Sequence, residues 1–248
     1  MTPLVLYHAD CWDGFCAAWI VRKALGEIEA VPVQYGQEPP DVTRREVYIL
    51  DFSYKRPVMR QILSQARKVM VLDHHKTFDM KQSGAALTWE QFFQVRGRPW
   101  LVDYTEDRDL WRWKLPNSRE VNAALRSYPF DFKELDTFAK LAPEGFVSEG
   151  KAILRREQQI VAEHVLHARE VEIDGYKVLT VNATVLCSDI AGELAKDRPF
   201  GACWFDRQDG KRQFSLRSSS TGIDVSEIAK RHGGGGHAQS AGFTEGGE

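Results

Sequence analysis

The sequence predicts an α/β protein made of two domains that are joined by a helix. Short apolar runs alternate with stretches of helix formers through the first hundred residues, a charged segment of helical periodicity covers residues 148–168, and short strand-like runs fill the last third. Alternating strands and helices are typical of a parallel sheet with helices on both faces. The 248 residues suffice for one large or two modest domains.

In the first domain we expect strands at residues 4–7, 29–33, 47–50 and 69–72, because each is a short and mainly apolar run. Helices are expected at residues 14–25, 57–67 and 85–95. The first of these helices stops at Gly26, and the second has Pro57 near its first turn, as helices often do.

A helical pattern continues over residues 117–138 and is broken by proline and glycine at 141–145. The apolar residues of the segment 148–168 recur at helical spacing, which predicts a linker helix. In the last third we expect strands at 176–181, 201–205 and 213–216, a hairpin turn at Asp209-Gly210, and helices at 190–196 and 225–231. The predicted domains are therefore 1–145 and 173–248, with the linker helix within 146–172.

Composition narrows the functional classes. The chain has 33 basic and 35 acidic side chains, so a broad basic surface for long duplex DNA is not expected, and small phosphorylated substrates are favoured. Its four cysteines form no Cys-x-x-Cys pair, which favours reduced thiols. We recognise neither a signal-peptide pattern nor an apolar run of the roughly 20 residues that a membrane helix needs. We expect a soluble, cytoplasmic protein that does not enter a membrane.

Carboxylates and imidazoles follow three of the predicted strands. The first strand leads into His8, Asp10 and Asp13, the third leads into Asp51, and the fourth leads into Asp73-His74-His75. Ligands gather at the carboxyl ends of the strands in an open α/β sheet, so these groups can meet. Mixed nitrogen and oxygen donors suit Mn, Fe, Co or Zn, and two such ions roughly 3.5–4 Å apart suit phosphoester hydrolysis.

A run of four glycines, 233–236, precedes His237 near the end of the chain. The run is compatible with a flexible linker or with a tight turn whose N–H groups bind an anion. We favour the anion-binding turn, because a helix precedes it and small residues follow it.

Taken together, these motifs resemble the DHH phosphoesterase superfamily. The match consists of His8-x-Asp10-x-x-Asp13-Gly14, the strand-terminal Asp51, Asp73-His74-His75 and the late Gly-Gly-Gly-His, in that order. It is most similar to the two-domain branch with RecJ-type exonucleases, nanoRNases and cyclic-dinucleotide phosphodiesterases. The resemblance implies a catalytic DHH domain, a smaller substrate-binding domain, and a cleft between them with two divalent ions, most often Mn²⁺, with Co²⁺ or Mg²⁺ as alternatives.

The resemblance also implies roles for individual residues. The expected metal ligands are His8 and Asp10 on one ion, Asp13 and His74 on the other, and Asp51 as the bridge. His75 would face the substrate and stabilise charge in the transition state. Asp73 would orient a neighbouring imidazole.

Two places depart from the superfamily pattern. A further aspartate is expected after the Asp-His-His motif, where we choose Asp107 and keep Asp103 as the alternative. In the first motif two residues separate the aspartates although one is commoner, which leaves the division of labour between Asp10 and Asp13 open. Cys11 lies between them, and we assign it a packing role because the carboxylates and imidazoles suffice as ligands.

In the second domain, the strand that ends at Arg217-Ser218 resembles the superfamily segment whose arginine meets substrate phosphate. Arginine suits bidentate phosphate contacts. His237 resembles the accompanying nucleotide-binding histidine, and Gly234, Gly235 and Gly236 would add contacts from the chain beside it.

The expected activity is a metal-dependent phosphodiesterase, in which a metal-bound hydroxide attacks short oligonucleotides and releases mononucleotides. Two alternatives within the enzyme class stay open, namely cleavage of cyclic dinucleotides and removal of phosphate from a nucleotide such as pAp. A third alternative is a nucleotide-binding regulator without catalysis. The expected partner is a short oligonucleotide or small nucleotide, and the oligomeric state, a homodimer included, stays open.

Overall fold

A computed structural model describes residues 2–74, 82–94 and 97–246. The chain forms two compact units, which we call unit 1 (Met1–Leu154) and unit 2 (Arg155–Glu248). The limit between the units falls inside a long helix, Val147–Val165. Within the described ranges, no helix combines the length and the apolar character needed to cross a membrane.

Unit 1 is built on a four-stranded parallel sheet. Its strands are β1 (Leu4–His8), β2 (Glu29–Val33), β3 (Glu46–Leu50) and β4 (Lys68–Leu72). They lie in the order β2-β1-β3-β4, and every neighbouring pair is parallel. The parallel sheet predicted from the alternating pattern is confirmed.

Helices follow or connect these strands. They are α1 (Trp12–Leu25), α2 (Arg56–Gln65), α3 (Gly84–Phe93), α4 (Trp100–Asp109), α5 (Ser118–Ser127), α6 (Phe132–Phe138), a 3₁₀ helix (Pro143–Phe146) and α7 (Val147–Val165). The helical segment predicted at 117–138 divides into α5 and α6 because Pro129 follows Tyr128, whose backbone is extended. Helix α4 was not predicted.

The sheet of unit 1 has a core on each face, because successive strand residues point to opposite sides. Val5 and Tyr7 pack into a cluster that includes α1, whereas Leu4 and Leu6 pack into a second cluster with Ile62 of α2. All of these side chains are buried. The centre of the sheet is therefore closed to water on both faces, and its carboxyl edge is left to carry polar groups.

Unit 2 contains a six-stranded mixed sheet. Its strands are β5 (Arg169–Ile173), β6 (Tyr176–Asn182), β7 (Gly201–Asp206), β8 (Arg212–Arg217), β9 (Gly235–His237) and β10 (Ser240–Glu245). The order is β5-β6-β7-β8-β10-β9, with β6 and β7 parallel and the other pairs antiparallel.

Two helices, α8 (Cys187–Leu194) and α9 (Val225–Arg231), pack in separate clusters of unit 2. The hairpin predicted at Asp209-Gly210 is confirmed, since it joins the antiparallel strands β7 and β8 and Gly210 has a φ of 77°. Strands β5, β9 and β10 were not predicted, because they are charged or glycine-rich rather than apolar. The predicted α/β class with a second, smaller α/β domain is confirmed, and the predicted domain limits stay predictions.

Candidate metal centre and phosphate-binding row

The carboxyl edge of the parallel sheet brings together polar side chains that are far apart in sequence. His8 is the last residue of β1, and Asp13 lies in the first turn of α1. Asp51 directly follows β3, and His74 lies two residues beyond β4. Because the strands are parallel, their carboxyl ends meet at one edge, as the sequence predicted for these four residues.

Asp51 is at the centre of this group. Its Oδ1 lies 3.1 Å from His74 Nε2, and its Oδ2 lies 3.6 Å from His8 Nδ1. The side chain is 1% exposed, and the backbone has a left-handed φ of 60°. One carboxylate thus faces two imidazoles with its two oxygens, which is the geometry that a bridging ligand between two metal positions requires.

The side chains form two groups of possible ligands among the described residues. The first contains His8, Cys11 and Asp51, and the second contains Asp13, His74 and Asp109. In the second group, His74 Nε2 lies 4.0 Å from Asp13 Oδ2 and 3.3 Å from Asp109 Oδ2. Asp51 connects the groups because its Oδ1 also contacts His74.

Burial makes this cluster electrostatically costly. Asp13 is 1% exposed, and its pKa is raised well above the ordinary value, first by burial and then by the nearby Asp51 and Asp109 carboxylates. Buried charges in proteins are paired or coordinate metals. The residues present therefore fit a divalent cation, which would balance the carboxylates, and the imidazole and carboxylate donors suit Mn, Fe, Co or Zn.

Helix α3 supports the cluster from its N-terminus. Ala85 N–H donates to Asp13 Oδ1 at 3.0 Å, so one carboxylate oxygen is fixed and the other is directed toward His74. Ser83 caps the helix by accepting from Ala86 N–H. A Cβ on Gly84 would lie 2.8 Å from Asp13 Oδ2 and 2.9 Å from Asp51 Cβ, so only glycine allows this approach. Sequence reasoning missed Gly84, although a Ser-Gly pair before an apolar helix marks a helix start.

Asp10, predicted as a metal ligand, lies outside both groups of ligands. It is exposed, its backbone is left-handed with a φ of 55°, and its Oδ2 accepts from Gln34 Nε2 at 2.7 Å. The neighbouring Cys11 takes part in the first group instead. The left-handed backbone of Asp10 and the hydrogen bond from Gln34 hold its carboxylate in the exposed position.

Asp107, chosen as the later ligand, also lies outside both groups, whereas Asp109 contacts His74. The carboxylate of Asp107 accepts from the N–H groups of Lys114 and Leu115, at 2.9 and 3.2 Å. Residues two apart on a helix do not share a face, so only one of these aspartates can reach the cluster. The alternative, Asp103, pairs with Arg98. A prediction of helix α4 from the sequence would have placed Asp107 and Asp109 on different faces of the helix. It would not have shown which face points to the candidate site.

Two predicted catalytic residues remain predictions. His75 lies outside the described residues. Asp73 is half-buried, and its proposed role in orienting an imidazole is not tested by the distances around it.

In unit 2, Arg217 and His237 lie in one row across three strands. Ser240 of β10 pairs with Arg217 on one side and with His237 on the other. Directly paired residues have their side chains on the same face, and two strand spacings are roughly 9–11 Å. This row therefore presents a guanidinium and an imidazole along one face of the sheet.

Arg217 is held by groups that the sequence did not indicate. Its Nη2 donates to Ser188 Oγ at 2.6 Å, and its Nη1 donates to the carbonyl of Leu216 at 2.8 Å. Burial lowers the pKa of Arg217 from its ordinary value, and the nearby Asp189 and the thiols of Cys187 and Cys203 oppose that shift. Ser188 is a positioning residue for this guanidinium.

The glycine run, for which we predicted an anion-binding turn, connects α9 to β9. The N–H groups of Gly233 and Gly234 donate to carbonyls at the end of α9, at 3.0 and 2.7 Å, so they are already used. Gly235 and Gly236 belong to β9, and a Cβ on Gly236 would lie 2.4 Å from Ala241 Cα. These glycines allow close strand pairing.

Ser218, the last member of the predicted phosphate-binding set, lies just beyond β8. Its N–H donates to the carbonyl of Gln239, and its Oγ donates to the carbonyl of Ala238 at 3.3 Å. The predicted contacts of Ser218, Gly234, Gly235 and Gly236 with substrate stay predictions.

Comparison with known proteins gives a family match in the second unit and two relatives among the curated proteins. Residues 177–245 match the family model of the DHHA1 domain. Oligoribonuclease NrnB of Bacillus subtilis is 36% identical over 91 residues, which is 37% of this chain and 21% of NrnB. The uncharacterized protein R106 of Acanthamoeba polyphaga mimivirus is 28% identical over 286 residues, which covers 97% of this chain and 67% of R106.

A solved structure is similar over nearly the whole chain. RecJ of Thermus thermophilus, in complex with Mn²⁺, matches with a TM-score of 0.59 at 14% identity. The match covers 98% of this chain and 49% of RecJ, so this chain spans about half the length of that protein. At this level of identity the likeness shows a shared fold.

Replacing Gly84 by alanine is expected to weaken Mn²⁺ binding by about tenfold to a hundredfold, because the new Cβ displaces the carboxylates of Asp13 and Asp51. Isothermal titration calorimetry of the metal-stripped protein measures the affinity. Gly145→Ala is the matched control, since a Cβ there has no heavy atom within 4 Å. Equal affinities of the two variants would show that Gly84 does not shape the site.

Substitution of Asp107 and Asp109 by alanine is expected to separate stability from metal binding. Asp107→Ala leaves two N–H groups without an acceptor, so the free energy of unfolding falls by about 1–3 kcal/mol. Asp109→Ala removes a neighbour of His74, so Mn²⁺ affinity falls by about tenfold or more. Urea unfolding and metal titration of both variants test this pair, and the reverse pattern would restore Asp107 as the ligand.

Proposed function

Because this chain belongs to the DHH superfamily of two-domain phosphoesterases, we propose that it is a metal-dependent phosphodiesterase that hydrolyses short oligonucleotides to mononucleotides. The observation that carries the proposal is Asp51, one buried carboxylate whose two oxygens face His8 and His74. The 36% identity with an oligoribonuclease over 91 residues supports the substrate class.

Two groups of donors meet at Asp51, and they correspond to two metal positions. His8 and Asp51 would hold one ion, and Asp13, His74 and Asp109 would hold the other, with Asp51 shared. Divalent ions bound there would lower the pKa of water toward neutrality and neutralise charge on the phosphoryl oxygens. The likeness to RecJ solved with Mn²⁺ favours Mn²⁺ as the ion, with Co²⁺ and Mg²⁺ as alternatives.

The protein itself contributes a fixed arrangement of donors. Asp13 is held by Ala85 N–H at the N-terminus of α3, where the helix dipole favours a negative charge. Tyr35 packs edge-on against the ring of His8, with 5.1 Å between the ring centroids. Ligands that are oriented by surrounding contacts need little reorganisation when they bind, which is the basis of efficient metal-site chemistry.

A phosphodiesterase must also bind the part of the substrate that lies beyond the cleaved bond. Arg217 and His237 are the residues that we propose for this binding. A guanidinium oriented by Ser188 can bind a phosphate through two parallel hydrogen bonds. His237 lies in the same row, roughly two strand spacings away, a span suited to a short substrate. Proteins that bind long nucleic acids usually have a concentrated basic surface. The net charge of this chain is −2, which favours short oligonucleotides as substrates.

The test of this function is hydrolysis of a substrate panel by metal-stripped protein with and without Mn²⁺. The panel contains RNA and DNA dinucleotides to pentanucleotides, longer single strands, cyclic dinucleotides and pAp, all at equal phosphate concentration. We expect Mn²⁺-dependent release of mononucleotides from the shortest strands. Asp51→Asn should lower kcat/KM by on the order of a hundredfold or more, because the shared carboxylate is lost.

Asp103→Asn is the matched control for Asp51→Asn, because Asp103 pairs with Arg98 outside both groups of ligands. This control should retain the activity of the parent protein. Unchanged turnover in Asp51→Asn would overturn the proposed site. Metal-dependent cleavage confined to cyclic dinucleotides or pAp would retain the site and replace the substrate.

Arg217→Gln is expected to raise KM for the shortest substrates by about tenfold or more, with a smaller change in kcat, because a charged hydrogen-bonding group to phosphate is lost. Steady-state kinetics with a dinucleotide measures both constants. Arg212→Gln is the control, since Arg212 lies at the other end of β8 and pairs with Asp206. Equal KM values in the two variants would exclude Arg217 from phosphate binding.

A further inference from the structure

A cysteine lies where the first motif led us to expect an aspartate ligand. The Cys11 Sγ, a ring nitrogen of His8 and a carboxylate oxygen of Asp51 all lie within 4.8 Å of one another. An ion bound by all three atoms would need ligand distances of about 2.0–2.3 Å. We propose that Cys11 is a thiolate ligand of the metal position formed with His8 and Asp51, and that it gives this position a preference for Zn²⁺ or Co²⁺ over Mn²⁺.

The backbone explains why the cysteine, rather than the aspartate before it, faces the site. Asp10 adopts a left-handed conformation and its carboxylate is engaged by Gln34. Cys11 is the N-cap residue of α1, with φ −113° and ψ 123°, and its carbonyl accepts from Phe15 N–H at 3.0 Å. Its side chain forms no capping hydrogen bond. The main chain of Cys11 is thus fixed by the helix, while the thiol is directed toward His8 and Asp51.

The chemistry of the donors sets the metal preference. Oxygen and nitrogen donors alone suit Mn²⁺, whereas a thiolate is a soft ligand that favours Zn²⁺ and other late divalent metals. Binding requires the thiol to lose its proton to solvent as the sulfur–metal bond forms, so no oxidant or reductant takes part. The second position, with Asp13, His74 and Asp109, has no sulfur among its described donors. The two positions therefore differ in the ions that they select.

This inference rests on the proposed function, because it assumes that the cluster holds metal ions. Titration of the metal-stripped full-length protein with Co²⁺, followed by absorption spectroscopy, separates the two claims. Bands in the visible range report Co²⁺ in a protein site, and a near-ultraviolet band reports charge transfer from thiolate to Co²⁺. We expect both kinds of band in the parent protein.

Variants identify the sulfur. The near-ultraviolet band should disappear in Cys11→Ser and Cys11→Ala, while the visible bands remain. Cys16→Ala is the matched control, because it removes another thiol from the same helix and Cys16 belongs to neither group of ligands. In Cys11→Asp, the ratio of Zn²⁺ to Mn²⁺ affinity should fall by about tenfold or more. Far-ultraviolet circular dichroism confirms that each variant is folded.

Three outcomes would overturn the inference, and they differ in what they imply for the proposed function. Visible bands without a charge-transfer band in the parent protein would remove Cys11 from the site but leave the metal site intact. A charge-transfer band that survives in Cys11→Ser would assign the sulfur to another cysteine. If equilibrium dialysis detects no bound Co²⁺, Zn²⁺ or Mn²⁺, both the inference and the proposed metal-dependent function fail.

Discussion

The repulsion among buried carboxylates at the carboxyl edge of the parallel sheet is the constraint on which the candidate site depends. Asp13 and Asp51 are almost fully buried, and Asp109 approaches the same imidazole, His74. Such a cluster is unfavourable unless a cation balances it. Three features hold these groups together against that repulsion. They are the strand order, the hydrogen bond from the N-terminus of α3 to Asp13, and the absence of a side chain at Gly84.

Another buried acid in unit 1, Glu106, has its charge balanced by arginine side chains. Glu106 is 6% exposed, and its carboxylate pairs with Arg112 at 2.8 Å and with Arg98 at 3.5 Å. Its charge is therefore balanced by the protein itself. Asp13 and Asp51, by comparison, both lie near the imidazole of His74, and Asp13 also accepts a hydrogen bond from Ala85 N–H. We assign the cation-binding role to the sheet edge because imidazole and carboxylate donors are grouped there, and a structural role to Glu106.

Unit 2 contains a mixed sheet that carries a different set of polar side chains. Mixed strands place Arg217 and His237 in one cross-strand row, and Ser188 orients the guanidinium. The glycines before His237 allow β9 to approach β10 closely, so they shape the row. The candidate metal centre and the row of Arg217 and His237 are thus formed by separate local features, each within its own unit.

The sequence by itself determined most of the elements and the donor types. Strand Glu29–Val33 and helix Val225–Arg231 have the predicted limits, and His8, Asp13, Asp51 and His74 meet because strand ends converge in a parallel sheet. Only the tertiary structure shows that Cys11 rather than Asp10, and Asp109 rather than Asp107, lies close to the imidazoles. Residues that are close in sequence fit the same motif equally well, but their side chains point in different directions, about 100° apart per residue on a helix. The packing of the surrounding elements decides which side chain faces the site.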